Sequence, residues 1–161
     1  MATPALASQL RLETGTSDDL HEVIEIMEAA FGSRYGEAWT RSQCAGILPM
    51  AGVSLMLARD ADDGQAIGFS LARSVADEAE LLLLAVVPAR HRQGVGSMLL
   101  DDFMDRARGG GAARVHLEVR DGNPAVEMYR SAGFSPVGRR RNYYHAADGR
   151  RYDALTLARR L

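Results

Sequence analysis

The chain changes its hydrophobic period several times, and each change predicts an element. At Leu10–Thr14, "LRLET" alternates apolar and polar, the two-residue period of a half-buried strand. From Leu20 the period lengthens. Leu20, Val23, Ile24, Met27 and Phe31 fall three and four residues apart, which predicts a helix, and Thr16-Ser17-Asp18-Asp19 ahead of it offers capping side chains. A second helix is expected over Glu37–Leu48, ending before Pro49. "VSLMLAR" (53–59) and "AIGFSLAR" (66–73) read as strands joined by the turn "DADDG" (60–64). Glu80–Val87 is almost continuously apolar, as in a strand buried on both faces.

The second half continues in the same way. Leu100, Phe103, Met104 and Ala107 form a helical stripe that Gly109–Gly111 ends. "ARVHLEV" (113–119) alternates strictly, with Val115, Leu117 and Val119 on one face and His116 and Glu118 on the other. Asn123-Pro124 suits a helix start, and Gly133 suits its left-handed end. Two last strands are expected near 134–141 and 152–159, with a polar loop between. The order β-α-α-β-β-β-α-β-α-β-β is not a repeating βα pattern. It predicts an α/β fold: one mixed, twisted sheet of about seven strands with helices on both faces, forming a single domain over residues 1–161.

Composition narrows the class without naming a function. At 161 residues, 47% hydrophobic and 25% charged, the chain is an ordinary globular protein. "MATPALASQL" lacks the positive start and long apolar stretch of a signal peptide. The longest apolar run, Leu81–Pro88, is too short to span a bilayer. Cys44 is the one cysteine, so no internal disulfide forms, and it reads as a small buried residue. No Cys/His spacing suggests a metal site. The expectation is a cytoplasmic monomer with no metal, no membrane contact and no direct nucleic-acid partner.

Charge adds an asymmetry. Residues 1–80 carry 5 Arg against 13 Asp and Glu, residues 81–161 carry 14 Arg against 8, and there is no lysine. Such a split suits a second half that meets an anion, or simply two solvated faces.

One stretch carries candidate chemistry. "RHRQGVGSMLL" (90–100) places Gly94 and Gly96 between the apolar strand and a helix. The first N–H groups of a helix lack internal acceptors, the dipole is positive there, and glycine lets the backbone approach an anion. With Arg90 and Arg92 beside it, the loop is suited to a pyrophosphate. A turn with close helix–sheet packing would use the same glycines. A Walker loop is excluded by the missing lysine, and a Rossmann fingerprint by Leu99 where its third glycine belongs.

These residues resemble the GNAT family of N-acetyltransferases. His91-Arg92-Gln93-Gly94-Val95-Gly96, followed by Ser97, looks like their acetyl-CoA loop, with His91 in place of the usual Gln or Arg. "LEVRDGNPAVEMYRSAGF" and "RRRNYYHAADGRRYDALTLAR" are similar to the RimI-type branch, which acetylates the N-terminal alanine of a small-subunit ribosomal protein. The resemblance implies a base at Glu118 and an acid at Tyr129. It implies cofactor contacts from the backbone of Leu84, Ala85 and Val86, from the loop, and from Asn123. Leu83 stands where an asparagine is frequent, so one side-chain contact is missing. Trp39, Arg139, Asn142, Tyr143 and Tyr144 are implied to border the acceptor groove. The implied partner is a protein N-terminus, with a ribosomal protein expected and its basic charge steered by the acidic half. A small-molecule amine such as an aminoglycoside, polyamine or amino acid, or a non-catalytic acetyl-CoA-binding module, are the alternatives.

The chemistry asks for such groups. An α-amine with pKa about 8 is mostly protonated at neutral pH and must lose a proton before it attacks a thioester. A carboxylate can take that proton. A tyrosine, with pKa about 10, can supply one to a departing thiolate, and backbone N–H groups can steady the oxyanion.

Overall fold

A computed structural model describes residues 9–161. The amino-terminal stretch read for a targeting signal lies almost entirely outside them. Seven strands form one sheet: β1 (Leu10–Thr14), β2 (Val53–Asp60), β3 (Ala66–Val75), β4 (Glu78–Val86), β5 (Arg114–Arg120), β6 (Ser135–His145) and β7 (Arg151–Arg160). Four helices join them: α1 (Leu20–Phe31), α2 (Arg41–Ile47), α3 (Val95–Gly109) and α4 (Ala125–Ser131). The element order is the expected one. Across the sheet the strands run β1-β2-β3-β4-β5-β7-β6, and every pairing is antiparallel except β4 with β5.

That parallel pair is the feature that matters. It is joined only from Glu78–Leu81 to Arg114–Leu117. Beyond Leu81 and Leu117 the two strands part, and the sheet forks. A bulge sits at the branch point: Leu81 faces Ala72 and Leu83 faces Leu71, so Leu82 has no partner on β3. The extra residue reverses the side-chain parity. Ala79 and Leu81 join the core under α3 and α4, with Leu100, Phe103, Met104 and Tyr129. Leu83 and Ala85 join the opposite core under α1 and α2, with Val23, Ile26, Met27 and Cys44. This is why the sequence shows an unbroken apolar run instead of an alternation.

The second helix is shorter than the expected span from Glu37 to Leu48. It begins at Arg41 because Thr40 closes a capping box, accepting from the Gln43 N–H at 3.1 Å while Gln43 accepts from the Thr40 N–H at 2.8 Å. Residues 32–40 are therefore loop. The expected polar loop before the last strand is also shorter, since β6 runs on to His145. Among the described residues no helix is long and apolar enough to cross a membrane.

Candidate active site

The fork opens into a cavity of about 1020 Å³. One wall is the loop before α3. Arg92 and Gly94 have φ of 60° and 83°, and Gly94 caps the helix without a side chain. The first intrahelical bond runs from the Met98 N–H to the Gly94 carbonyl at 3.0 Å. The N–H groups of Val95, Gly96 and Ser97 precede it and have no helical acceptor. Gly96 packs closely against α4, since a Cβ there would lie 3.2 Å from the Met128 sulfur and the methionine would have to shift by a few tenths of an ångström. Leu84, Ala85, Val86, His91, Arg92 and Asn123 line the same cavity. Loop, fork and cavity thus fit an extended ligand with a phosphate end.

Several expected contacts are differently employed. Arg90 bonds Asp60 at 2.9 Å and Gln93 Oε1 at 2.9 Å, so its charge is matched within the protein. Gln93 braces the loop from behind and does not line the cavity. His91 Nε2 lies 2.7 Å from the Val86 carbonyl; a carbonyl only accepts, so Nε2 carries the proton. Asn123 is doubly engaged. Its Oδ1 accepts from the Ala125 N–H at 2.9 Å, and its Nδ2 donates to Glu37 at 2.9 Å.

The two residues implied for proton transfer lie on opposite faces of the sheet, either side of the fork. Val115, Leu117 and Val119 point into the α3/α4 core, so alternation sends Glu118 to the other face. Its side chain is 16% exposed, and Oε1 forms an ion pair with Arg140 Nε at 2.7 Å. Tyr129 arrives on α4 within the α3/α4 core, packed edge-on against Phe134 with ring centres 6.0 Å apart. Burial, and secondarily the charge of Glu37, push its pKa well above the usual phenol range. Both residues line the cavity.

Of the residues expected at the acceptor groove, Trp39, Tyr143 and Tyr144 line the cavity. Burial raises the pKa of both tyrosines. The charge of Glu118 adds to the effect at Tyr143, and that of Glu37 at Tyr144. Arg139 and Asn142 do not reach it. Arg139 bonds Asp121 at 2.8 Å and Asp153 at 2.9 Å, and the Asn142 N–H bonds Asp153 at 2.9 Å.

Sequence reasoning missed a buried ion pair at the centre of this wall. Glu37 and Arg120 are 10% and 9% exposed and meet at 3.2 Å. Arg120 also sits 3.6 Å over the Tyr35 ring. The partners are 83 residues apart in sequence, so only the fold brings them together. The available signal was weak: an arginine ending a buried strand requires a partner acid somewhere.

Residues 20–134 match the model of the acetyltransferase (GNAT) family. The chain is 41% identical over 97 residues to the [ribosomal protein bS18]-alanine N-acetyltransferase of Escherichia coli K12, a match that spans 60% of this chain and 65% of that relative. It is 30% identical over 148 residues to the protein of the same name from Haemophilus ducreyi, covering 91% and 97%. The crystal structure of the Escherichia coli ribosomal-protein-S18-alanine N-acetyltransferase superposes with a TM-score of 0.83 at 30% identity, over 94% of this chain and 93% of that one. The chain belongs to the GNAT acetyltransferase family.

Proposed function

We propose that residues 1–161 act as one N-acetyltransferase domain that moves an acetyl group from acetyl-CoA to the N-terminal α-amine of a protein, a ribosomal protein beginning with alanine being the favoured acceptor. One observation carries the reading: a forked sheet sets a carboxylate, Glu118, and a buried phenol, Tyr129, on opposite faces of one opening. The similarity to bS18-alanine N-acetyltransferases supports the choice of acceptor.

Acetyl-CoA supplies the activated thioester. The uncapped N–H groups of Val95, Gly96 and Ser97, with Arg92, are placed to hold its pyrophosphate. The edge of β4 from Leu84 to Val86, unpaired on the side of β5, offers backbone groups to its extended arm and an N–H to the carbonyl oxygen. Asn123 helps through position: it holds the start of α4, which carries Tyr129. Glu118 takes the proton of the amine at its carboxylate. Tyr129, kept protonated by burial, gives its proton to the departing sulfur. Tyr143, Tyr144 and Trp39 shape the groove along which the acceptor chain lies.

The test is acetyl transfer read by mass spectrometry. The protein is incubated with acetyl-CoA and an alanine-first peptide copying the ribosomal N-terminus, beside the same peptide with its amine blocked. One acetyl on the free amine alone is expected, and Glu118→Gln should slow it roughly a hundredfold or more, as loss of a general base does. No transfer to the peptide, with transfer to a polyamine or aminoglycoside, would move the acceptor to a small amine.

A further inference from the structure

The base proposed above is not bare. Glu118 Oε1 holds Arg140 Nε at 2.7 Å, yet the Arg140 side chain is 61% exposed while that of Glu118 is 16% exposed. No other basic side chain among the described residues lies within ion-pair distance of Glu118. A well-shielded carboxylate is therefore closed from outside by a cation that has most of its surface in water.

The backbone is built to put it there. In β6, Arg140 faces Ala154 and Tyr144 faces Tyr152, so Arg141, Asn142 and Tyr143 crowd opposite Asp153 alone. Asp153 pins this bulge from both sides, through Arg139 at 2.9 Å and the Asn142 N–H at 2.9 Å. Asn142 turns the chain with φ 53°. The residues on either side of Arg140 are thus tethered to β7, while Arg140 itself makes one side-chain contact of this kind and lies 5.5 Å from the Tyr143 ring. Its release breaks one ion pair of a side chain that is already mostly in water.

We propose that Arg140 is an exchangeable counter-ion of Glu118. The α-ammonium of the acceptor displaces the guanidinium from the carboxylate, and Arg140 swings to solvent as the peptide enters. Until a cation of the right kind arrives, the carboxylate stays covered. Arg140 is then a positioning residue, and it makes the site select an amine that enters charged. The inference rests on the assignment of Glu118 as the group that meets the amine.

Binding separates this role from a structural one. Calorimetry would follow an alanine-first peptide, free or with its amine acetylated, titrated into protein saturated with coenzyme A. Wild type should prefer the free amine. Arg140→Gln, an exposed change on an edge strand, should bind the free-amine peptide about two- to fivefold more tightly, the range for loss of one exposed competing ion pair. The blocked peptide should bind both alike, and Arg140→Lys should return towards wild type. In a Glu118→Gln background, Arg140→Gln should have no effect. Equal or weaker free-amine binding by Arg140→Gln would overturn the exchange alone. A wild type that binds free and blocked peptides equally would overturn the α-amine assignment beneath it, and the exchange with it.

Discussion

Tyr129 shows how a single side chain is tuned by its packing. The ring is part of the core beneath α3 and α4, packed edge-on against Phe134. Burial raises its pKa, so the folded protein keeps it protonated across the range where a free phenol would ionise. Two outcomes are expected. Tyr129→Phe, which keeps the ring, should leave the melting temperature within a few degrees but lower kcat by about 10²-fold, as loss of a general acid does. The wild-type rate should not fall between about pH 8 and 10 through this residue, because its proton is lost only above the ordinary phenol pKa of about 10. An alkaline limb near pH 10 that disappears in Tyr129→Phe would show the opposite, an ordinary tyrosine in a wet site.

At the scale of elements, the loop of residues 32–40 is a structural part of the site and not a tether. Glu37 reaches from it to Arg120 on β5 and Asn123 before α4, so one carboxylate ties three elements. Removing one partner of a buried pair leaves an uncompensated charge, at about 3–5 kcal/mol. Glu37→Ala should therefore lower the melting temperature by about 10 °C, and Glu37→Gln, which can still accept from Arg120, by less. Equal melting of both variants and wild type would mean that water satisfies Arg120. A second knot lies at the far edge, where Arg59 binds Glu13 and Glu22 and approaches Asp19. Hydrogen bonding to Arg59 holds the Glu22 carboxyl below its usual range. A depressed carboxylate stabilises the fold above its unfolded pKa and loses that contribution as pH falls through the folded one. Thermal melts should then show acid destabilisation beginning below about pH 4.5, and Arg59→Met should flatten it.

These two knots also mark what the sequence could tell. Strand β1 and the stripes of α1 and α3 were legible because local period alone places their apolar faces. The loop before α3 was legible because Gly94 and Gly96 do a backbone task that few other residues can do. The start of α2 lies four residues later than expected because Thr40 and Gln43 close a capping box there. Glu118 was visible only as a polar residue on an alternating strand, and the family resemblance gave it a role. Arg139–Asp153 and Arg140–Glu118 were not legible at all, and Glu37–Arg120 showed only as an arginine ending a buried strand. Each joins distant segments through long side chains, and no local period records such a pairing.

For the molecule as a whole, the sheet order converts the charge asymmetry of the sequence into a spatial one. Strands β1 to β3 come from the acidic half and β5 to β7 from the arginine-rich half, and β4, which straddles the division at Leu81, joins the two groups along four residue pairs with β5. The fork beyond those pairs is the thinnest seam in the sheet. A ligand laid along the open edge of β4 and anchored at the start of α3 would bind both sides of the seam and restore backbone bonds the sheet lacks. Coenzyme A at a hundred times its dissociation constant should stabilise the fold by about 2.7 kcal/mol. That corresponds to a rise of about 5–10 °C in melting temperature for a domain of this size. Hydrogen exchange locates the effect: new protection should concentrate in residues 82–86, 94–97 and 118–120, with β1 to β3 changed little. Stabilisation without protection at the fork would mean that the anion sits on the glycine loop alone and leaves the opening between β4 and β5 empty. Slowed exchange on both prongs, absent in Gly94→Ala where the left-handed cap at φ 83° is strained, would establish that loop and fork form one binding surface.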